Sequence, residues 1–195
     1  MPVVLRCKTV RGRPWARALS IDAERLMRAA RLDRCELSVL LAGDRTVGAL
    51  NREYRGEDRP TDVLSFSQLE QAGRSALDPH AVENCPGQLL GDVVISIDTA
   101  LAQARELGVS PRARLRTLLI HGLLHLIGYD HERSAADARR MFARERELAA
   151  QLKPAPARTP AEAPVKTPRN ARPAKSRAGD LSRYGAARRA RGGNR

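Results

Sequence analysis

Apolar and polar positions along this chain follow two periods. Ala23, Leu26, Met27 and Ala30 recur three or four apart, on one face of a helix that Ser20 is placed to cap. "CELSVLLA" (35–42) has the apolar, β-branched character of a strand. "DRTVGALNREY" (44–54) returns to helical spacing, with Asp44 as the expected cap. "TDVLSFSQ" (61–68) and "LLGDVVISI" (89–97) read as two more strands. The stretch between them follows no period and carries Gly and Pro, which predicts a surface loop.

Three further helices are expected. One runs from Asp98 as cap to Gly108. The next has Ser110 as cap, Pro111 at the first helical position and Gly128 at its C-terminal end. The last opens on Ser134 with Asp137 three residues later, as in a capping box. There is no internal repeat. The order of elements predicts an α/β (α+β) fold, a small mixed sheet packed against several helices.

Charge divides the chain. The 195 residues carry a net charge of +13, but from Lys153 to Arg195 twelve Lys and Arg stand against only Glu162 and Asp180. That segment holds +10 of the total and is rich in Pro, Ala and Arg. It has too few large apolar residues to offset its ordering entropy. The expected organisation is a folded domain over 1–152 and a disordered basic tail over 153–195. Cys7, Cys35 and Cys85 are an odd number without close spacing, so neither a disulfide framework nor a zinc ribbon is expected. The N-terminal stretch lacks the apolar region of a signal peptide, and no apolar run reaches membrane-spanning length. A soluble cytoplasmic protein with no membrane partner is the expectation.

The densest chemistry is "HGLLHLIGYDH", residues 121–131. The helix that carries it is apolar almost all round, and Thr117, His121 and His125 form one polar stripe along it. Buried polar groups need partners. Two imidazoles one turn apart can point at one ion, and Gly128 lets the chain turn so that His131 arrives as a third ligand. Three neutral imidazoles suit zinc, and they leave one coordination position open, as catalytic sites do. Metzincin proteases share this histidine spacing. They place a glutamate base directly after the first histidine, where this chain has Gly122. Gly122 counts against a metal-dependent peptidase or other hydrolase on this scaffold.

A second polar stretch, "LNREYRGEDRPTDVLSF" (50–66), contains Arg55, Asp58, Arg59 and Asp62. Together the two stretches resemble the YbeY family of bacterial endoribonucleases. The pattern H-G-x-L-H-L-x-G-Y-D-H is met by His121, Gly122, Leu124, His125, Leu126, Gly128, Tyr129, Asp130 and His131. The pattern Y-R-x-x-D-x-P-T-D-V-L-S-F is met by Tyr54, Arg55, Asp58 and the run from Pro60 to Phe66. Leu90 to Ser96 resembles the family's next strand, and the likeness spans about residues 35 to 150. Ser67 departs from the usual proline, and the tail has no counterpart.

The resemblance implies a zinc-dependent, single-strand-specific endoribonuclease. It would act in the cytoplasm on ribosomal RNA, at the 3′ end of the small-subunit rRNA, and in ribosome quality control, with the small ribosomal subunit or its proteins as partner. It implies His121, His125 and His131 as ligands of one zinc per chain, with Arg55 and His121 as catalytic residues. Thr117, Tyr129 and Asp130 are candidates to support the ligands. In the tail, Arg177, Arg183, Arg188, Arg189, Arg191 and Arg195 are candidate phosphate contacts. The other alternative is a non-enzymatic ribosome-associated protein with a structural metal, which a fourth protein ligand would support.

Overall fold

The computed structural model describes residues 3–69, 87 and 89–152. Four strands, β1 (Val3–Cys7), β2 (Glu36–Ala42), β3 (Val63–Ser67) and β4 (Leu89–Ser96), form one sheet in the order β1-β2-β4-β3. β1, β2 and β4 are parallel, and β3 pairs antiparallel with β4. The sheet is mixed, as the pattern predicts. Five helices accompany it: α1 (Arg13–Ala29), α2 (Asp44–Arg55), α3 (Ile97–Glu106), α4 (Pro111–Leu126) and α5 (Ala135–Leu152).

The strand period of two sorts the sheet's side chains onto two faces. Leu37, Val39 and Leu41 of β2 and Val93 and Ile95 of β4 join the main core with α1, α4 and α5. Val94 of β4 and Leu64 of β3 point the other way and form a smaller cluster with Ala42 and Val47, beneath α2. α4 is buried along Leu115, Leu118, Leu119, Leu123 and Leu124. A deep ionic contact joins it to α1. Asp22, fully buried, accepts a two-armed hydrogen bond from Arg112 (2.9 Å each) and a weaker one from Arg116.

β3 lies at the sheet edge alongside α4, and two hydroxyls join them. Ser65 Oγ donates to the Gly122 carbonyl (3.1 Å) and Ser67 Oγ to the Leu126 carbonyl (3.0 Å). Two strand residues rise about 6.6 Å and four helical residues about 6 Å, so the two bonds stay in register. Ser67, the departure from the family's proline, thus serves one of the helix's orphan carbonyls. Gly122 makes the approach possible. A Cβ at that position would lie 2.7 Å from Val93 Cγ1 and 3.1 Å from Ser65 Oγ.

Several expected boundaries shift. Ser20 is inside α1, not at its start: the helix begins at Arg13, with Pro14 in its first turn and a short 3-10 turn (Val10–Gly12) before it. β1 carries no strand expectation from the sequence. Asp44 and Asp98 are first-turn residues rather than caps. Gly43 caps α2, and Ser96, which ends β4, caps α3 by accepting from the Thr99 N–H. Each aspartate instead serves the other helix. Asp44 accepts from the hydroxyls of Ser96 and Thr99, and Asp98 accepts the Asp44 N–H (3.1 Å) and pairs with Arg11. The Ser110 and Ser134 caps stand as expected, and Ser134 and Asp137 bond reciprocally. Residues 70–86 and 88, which include most of the expected loop with His80 and Cys85, lie outside the described residues, as does the tail from Lys153.

Candidate metal centre

α4 ends in a hydrogen-bond pattern that a glycine permits. The Gly128 N–H bonds the His125 carbonyl and the Tyr129 N–H bonds the Leu124 carbonyl, with Gly128 at φ 91°. This reverses the chain and returns His131 toward the helix. The three rings form a near-equilateral triangle, with centroids 4.6 Å (His121–His125), 5.2 Å (His121–His131) and 5.3 Å (His125–His131) apart. One ligating nitrogen from each lies within 4.8 Å of the others, a group able to hold a metal ion. The Nε2 atoms of His121 and His125 are 3.0 Å apart. Two nitrogens on one tetrahedral zinc, at bonds of about 2.05 Å, would be separated by about 3.3 Å, so the donor set fits the ion.

Each ring is held from outside the triangle. His121 Nδ1 lies 2.7 Å from Glu145 Oε1 on α5, which turns Nε2 inward. His131 stacks on Phe142, also on α5, with centroids 5.9 Å apart and planes 21° from parallel. His125 has a hydrogen bond with the Tyr129 backbone. Burial lowers the His125 pKa to about 4; the neighbouring His121 and His131 add to the shift, and Asp130 opposes it. At neutral pH this imidazole is uncharged, the form a metal requires.

The triangle lies at the wall of a cavity of about 280 Å³, whose other walls include Arg55, Thr61, Asp62 and Ser65. Arg55 is exposed at the C-terminal end of α2 and is the one lysine or arginine among the described residues that line the cavity. Its neighbours are engaged, Arg52 by Asp58 (3.1 Å) and Arg59 by Glu57 (2.9 Å). Among the described residues no hydrogen bond or ion pair holds Arg55. Asp62 faces the same cavity with its carboxylate occupied: it accepts from the Val63 N–H (2.8 Å), Gln103 (3.1 Å) and Arg114 (3.1 Å).

The structure brings together Arg55, His121, His125, His131 and Asp130. Asp130 is committed to the Glu132 N–H (2.8 Å) and to Arg133. Tyr129 packs against the core through its side chain and meets His125 through its backbone. Thr117 is a correction. It is exposed and returns its hydroxyl to the Ala113 carbonyl (3.1 Å), so it supports no ligand. A threonine in a helix has this local partner available and need not face the polar site. The six tail arginines lie outside the described residues. Glu145 and Phe142 escape sequence reasoning. They sit among many charged residues of α5, and only the packing of α5 on α4 reveals which of them face the histidines.

Among the described residues no helix is long and apolar enough to cross a membrane. Residues 15–153 match the model of the family described as endoribonuclease YbeY. A curated "Endoribonuclease YbeY" of Anaeromyxobacter sp. (strain Fw109-5) is 49% identical over 149 residues, covering 76% of this chain and 71% of the relative. That of Geobacter metallireducens is 50% identical over 131 residues, covering 67% and 81%. The solution structure of TM1509 from Thermotoga maritima superposes with a TM-score of 0.53 at 23% identity, over 77% of this chain and 88% of that one, which supports the fold. With its histidine triangle and polar turn in the positions the pattern requires, the chain belongs to the endoribonuclease YbeY family.

Proposed function

We propose that this protein is a zinc-dependent endoribonuclease acting on single-stranded ribosomal RNA. One observation carries the reading: three histidines able to hold an ion share one cavity with Arg55, which no hydrogen bond or ion pair holds among the described residues. When bound, a divalent ion supplies Lewis acidity toward a phosphate oxygen or a water. The protein supplies the rest. Cleavage of a phosphodiester concentrates negative charge on the non-bridging oxygens. Arg55 donates paired hydrogen bonds to them, which a guanidinium fork suits better than a point charge. His121, His125 and His131 would hold the ion in the cavity that Arg55 also lines.

A peptidase role is disfavoured by packing as well as by composition. Position 122, where a protease would carry its glutamate, faces Val93 and Ser65 of the sheet and has no room for a side chain. The setting proposed with this activity is the cytoplasm, in maturation of the small-subunit rRNA 3′ end and in ribosome quality control, with the small ribosomal subunit or its proteins as partner. Residues 1–152 form the catalytic unit. Arg177, Arg183, Arg188, Arg189, Arg191 and Arg195 of the basic tail add phosphate contacts without base preference.

The test is cleavage of single-stranded rRNA fragments by zinc-loaded wild type, Arg55→Ala and His121→Ala, beside a casein assay. The expected result is RNA cleavage, lost with His121→Ala and reduced about 100-fold or more with Arg55→Ala at unchanged zinc affinity. Full RNase activity in Arg55→Ala removes that residue from the mechanism. Casein cleavage without RNA cleavage overturns the whole reading.

A further inference from the structure

We infer that α5 is the positioning element of the metal centre, with Glu145 and Phe142 setting the orientation of His121 and His131. The inference rests on the metal reading above and adds to it how the ligand geometry is held.

Two of the ligands come from different kinds of support. His121 is on a buried helix, whereas His131 follows it on an irregular segment without a backbone ladder of its own. That segment is tied at both ends, by the Gly128 turn at one and by the reciprocal Ser134–Asp137 bonds at the other. Between those ties the His131 ring still has rotational freedom. Phe142 stacks on it and restricts that rotation. Three residues on, and so on the same face of α5, Glu145 reaches His121. Both ligands are thereby referenced to one rigid helix, which Met141, Leu148 and Leu152 anchor in the core on the adjoining face.

Glu145 does more than hold a ring in place. An ionised carboxylate only accepts hydrogen bonds, so the contact requires the proton on His121 Nδ1. The lone pair is then on Nε2, the atom that faces His125. The contact selects the tautomer able to ligate. Phe142 acts sterically, through the face of its ring.

The test is zinc affinity by chelator competition, with urea unfolding of the metal-free proteins run alongside. Glu145→Ala should weaken zinc binding about 10- to 100-fold, and Glu145→Gln, which keeps an acceptor, should recover part of the loss. Phe142→Leu should weaken binding, and Phe142→Tyr, which keeps the ring, should not. In the zinc-loaded wild type the His121 imidazole N–H should give a slowly exchanging proton resonance that Glu145→Ala removes. Wild-type affinity in both Glu145→Ala and Phe142→Leu overturns this inference while leaving the metal reading intact. A wild type that binds no zinc overturns both.

Discussion

Replacing Gly122 by alanine adds one methyl group where α4 packs directly on β3 and β4. The new Cβ would lie 2.7 Å from Val93 Cγ1, 3.2 Å from Val93 Cγ2 and 3.1 Å from Ser65 Oγ. Carbon atoms rest at about 3.5–4.0 Å, so the overlap with Val93 is on the order of 1 Å. Val93 is fully buried, and its branched side chain has few alternative rotamers. The strain therefore falls on the helix. Overpacking of this kind costs about 1–3 kcal/mol. The Ser65–Gly122 hydrogen bond, worth about 1 kcal/mol, is stretched as α4 retreats. Ala is a better helix former than Gly by about 1 kcal/mol, which offsets part of this. The net expectation is destabilisation by about 1–2 kcal/mol, read as a fall of a few degrees in Tm. The same retreat moves His121 and His125 relative to His131, so zinc affinity should drop with stability. Urea unfolding and chelator competition measure the two effects. A double-mutant cycle with Val93→Ala should show favourable coupling, because the shortened side chain makes room for the methyl. A Gly122→Ala protein that is about 1 kcal/mol more stable, with zinc affinity unchanged, would refute the reasoning, since that is how alanine behaves on an open helix surface.

Three other perturbations have defined outcomes. Asp22→Ala leaves the partly exposed Arg112 and Arg116 without their buried partner and should cost about 1–3 kcal/mol in urea unfolding; a loss below about 0.5 kcal/mol would mean that the arginines find other partners. In metal-free protein, the His125 pKa of about 4 lies below the unfolded value near 6.5, so the unfolded chain takes up a proton first on acidification. Stability should fall as pH drops from about 6.5 to about 4, by on the order of 2 kcal/mol after allowance for partial exposure, and His125→Gln should flatten that slope; an equal slope in both proteins would assign it elsewhere. Deleting residues 153–195 should reduce the steepness with which RNA affinity falls with salt, and an unchanged slope would exclude the tail from binding.

What could be read in advance followed from local physics. β2, β4 and α4 declare themselves through apolar period, and Ser110 and Ser134 through caps that need only their own helix. The histidine triangle was legible because a helical repeat of four and a turn-forming glycine set most of its geometry within eleven residues. β1 was not, since five residues beside a charged stretch carry little pattern, and their strand character comes from pairing with β2. The errors at Asp44 and Asp98 share a cause. An aspartate before a helical run looks like a cap in sequence, yet here each carboxylate finds its partners on the neighbouring helix, where the ends of β2 and β4 lie side by side. Thr117 failed in the opposite direction, choosing a local partner when periodicity placed it in the site.

That crossing of Asp44 and Asp98 has a mechanical consequence. α2 is fastened there at its N-terminus, while Arg55 sits at its far end, eleven residues on. At 1.5 Å per residue the helix is a lever arm of about 16 Å, so a tilt of about 5° at the fastening swings Arg55 by roughly 1.4 Å. A displacement near 1 Å is enough to cost about 100-fold where reacting groups must be aligned. On the proposed mechanism, the phosphate contact is therefore sensitive to two carboxylates at the opposite end of the helix, which are not among the residues that line the cavity, as well as to the buried Val47 and Asn51 between.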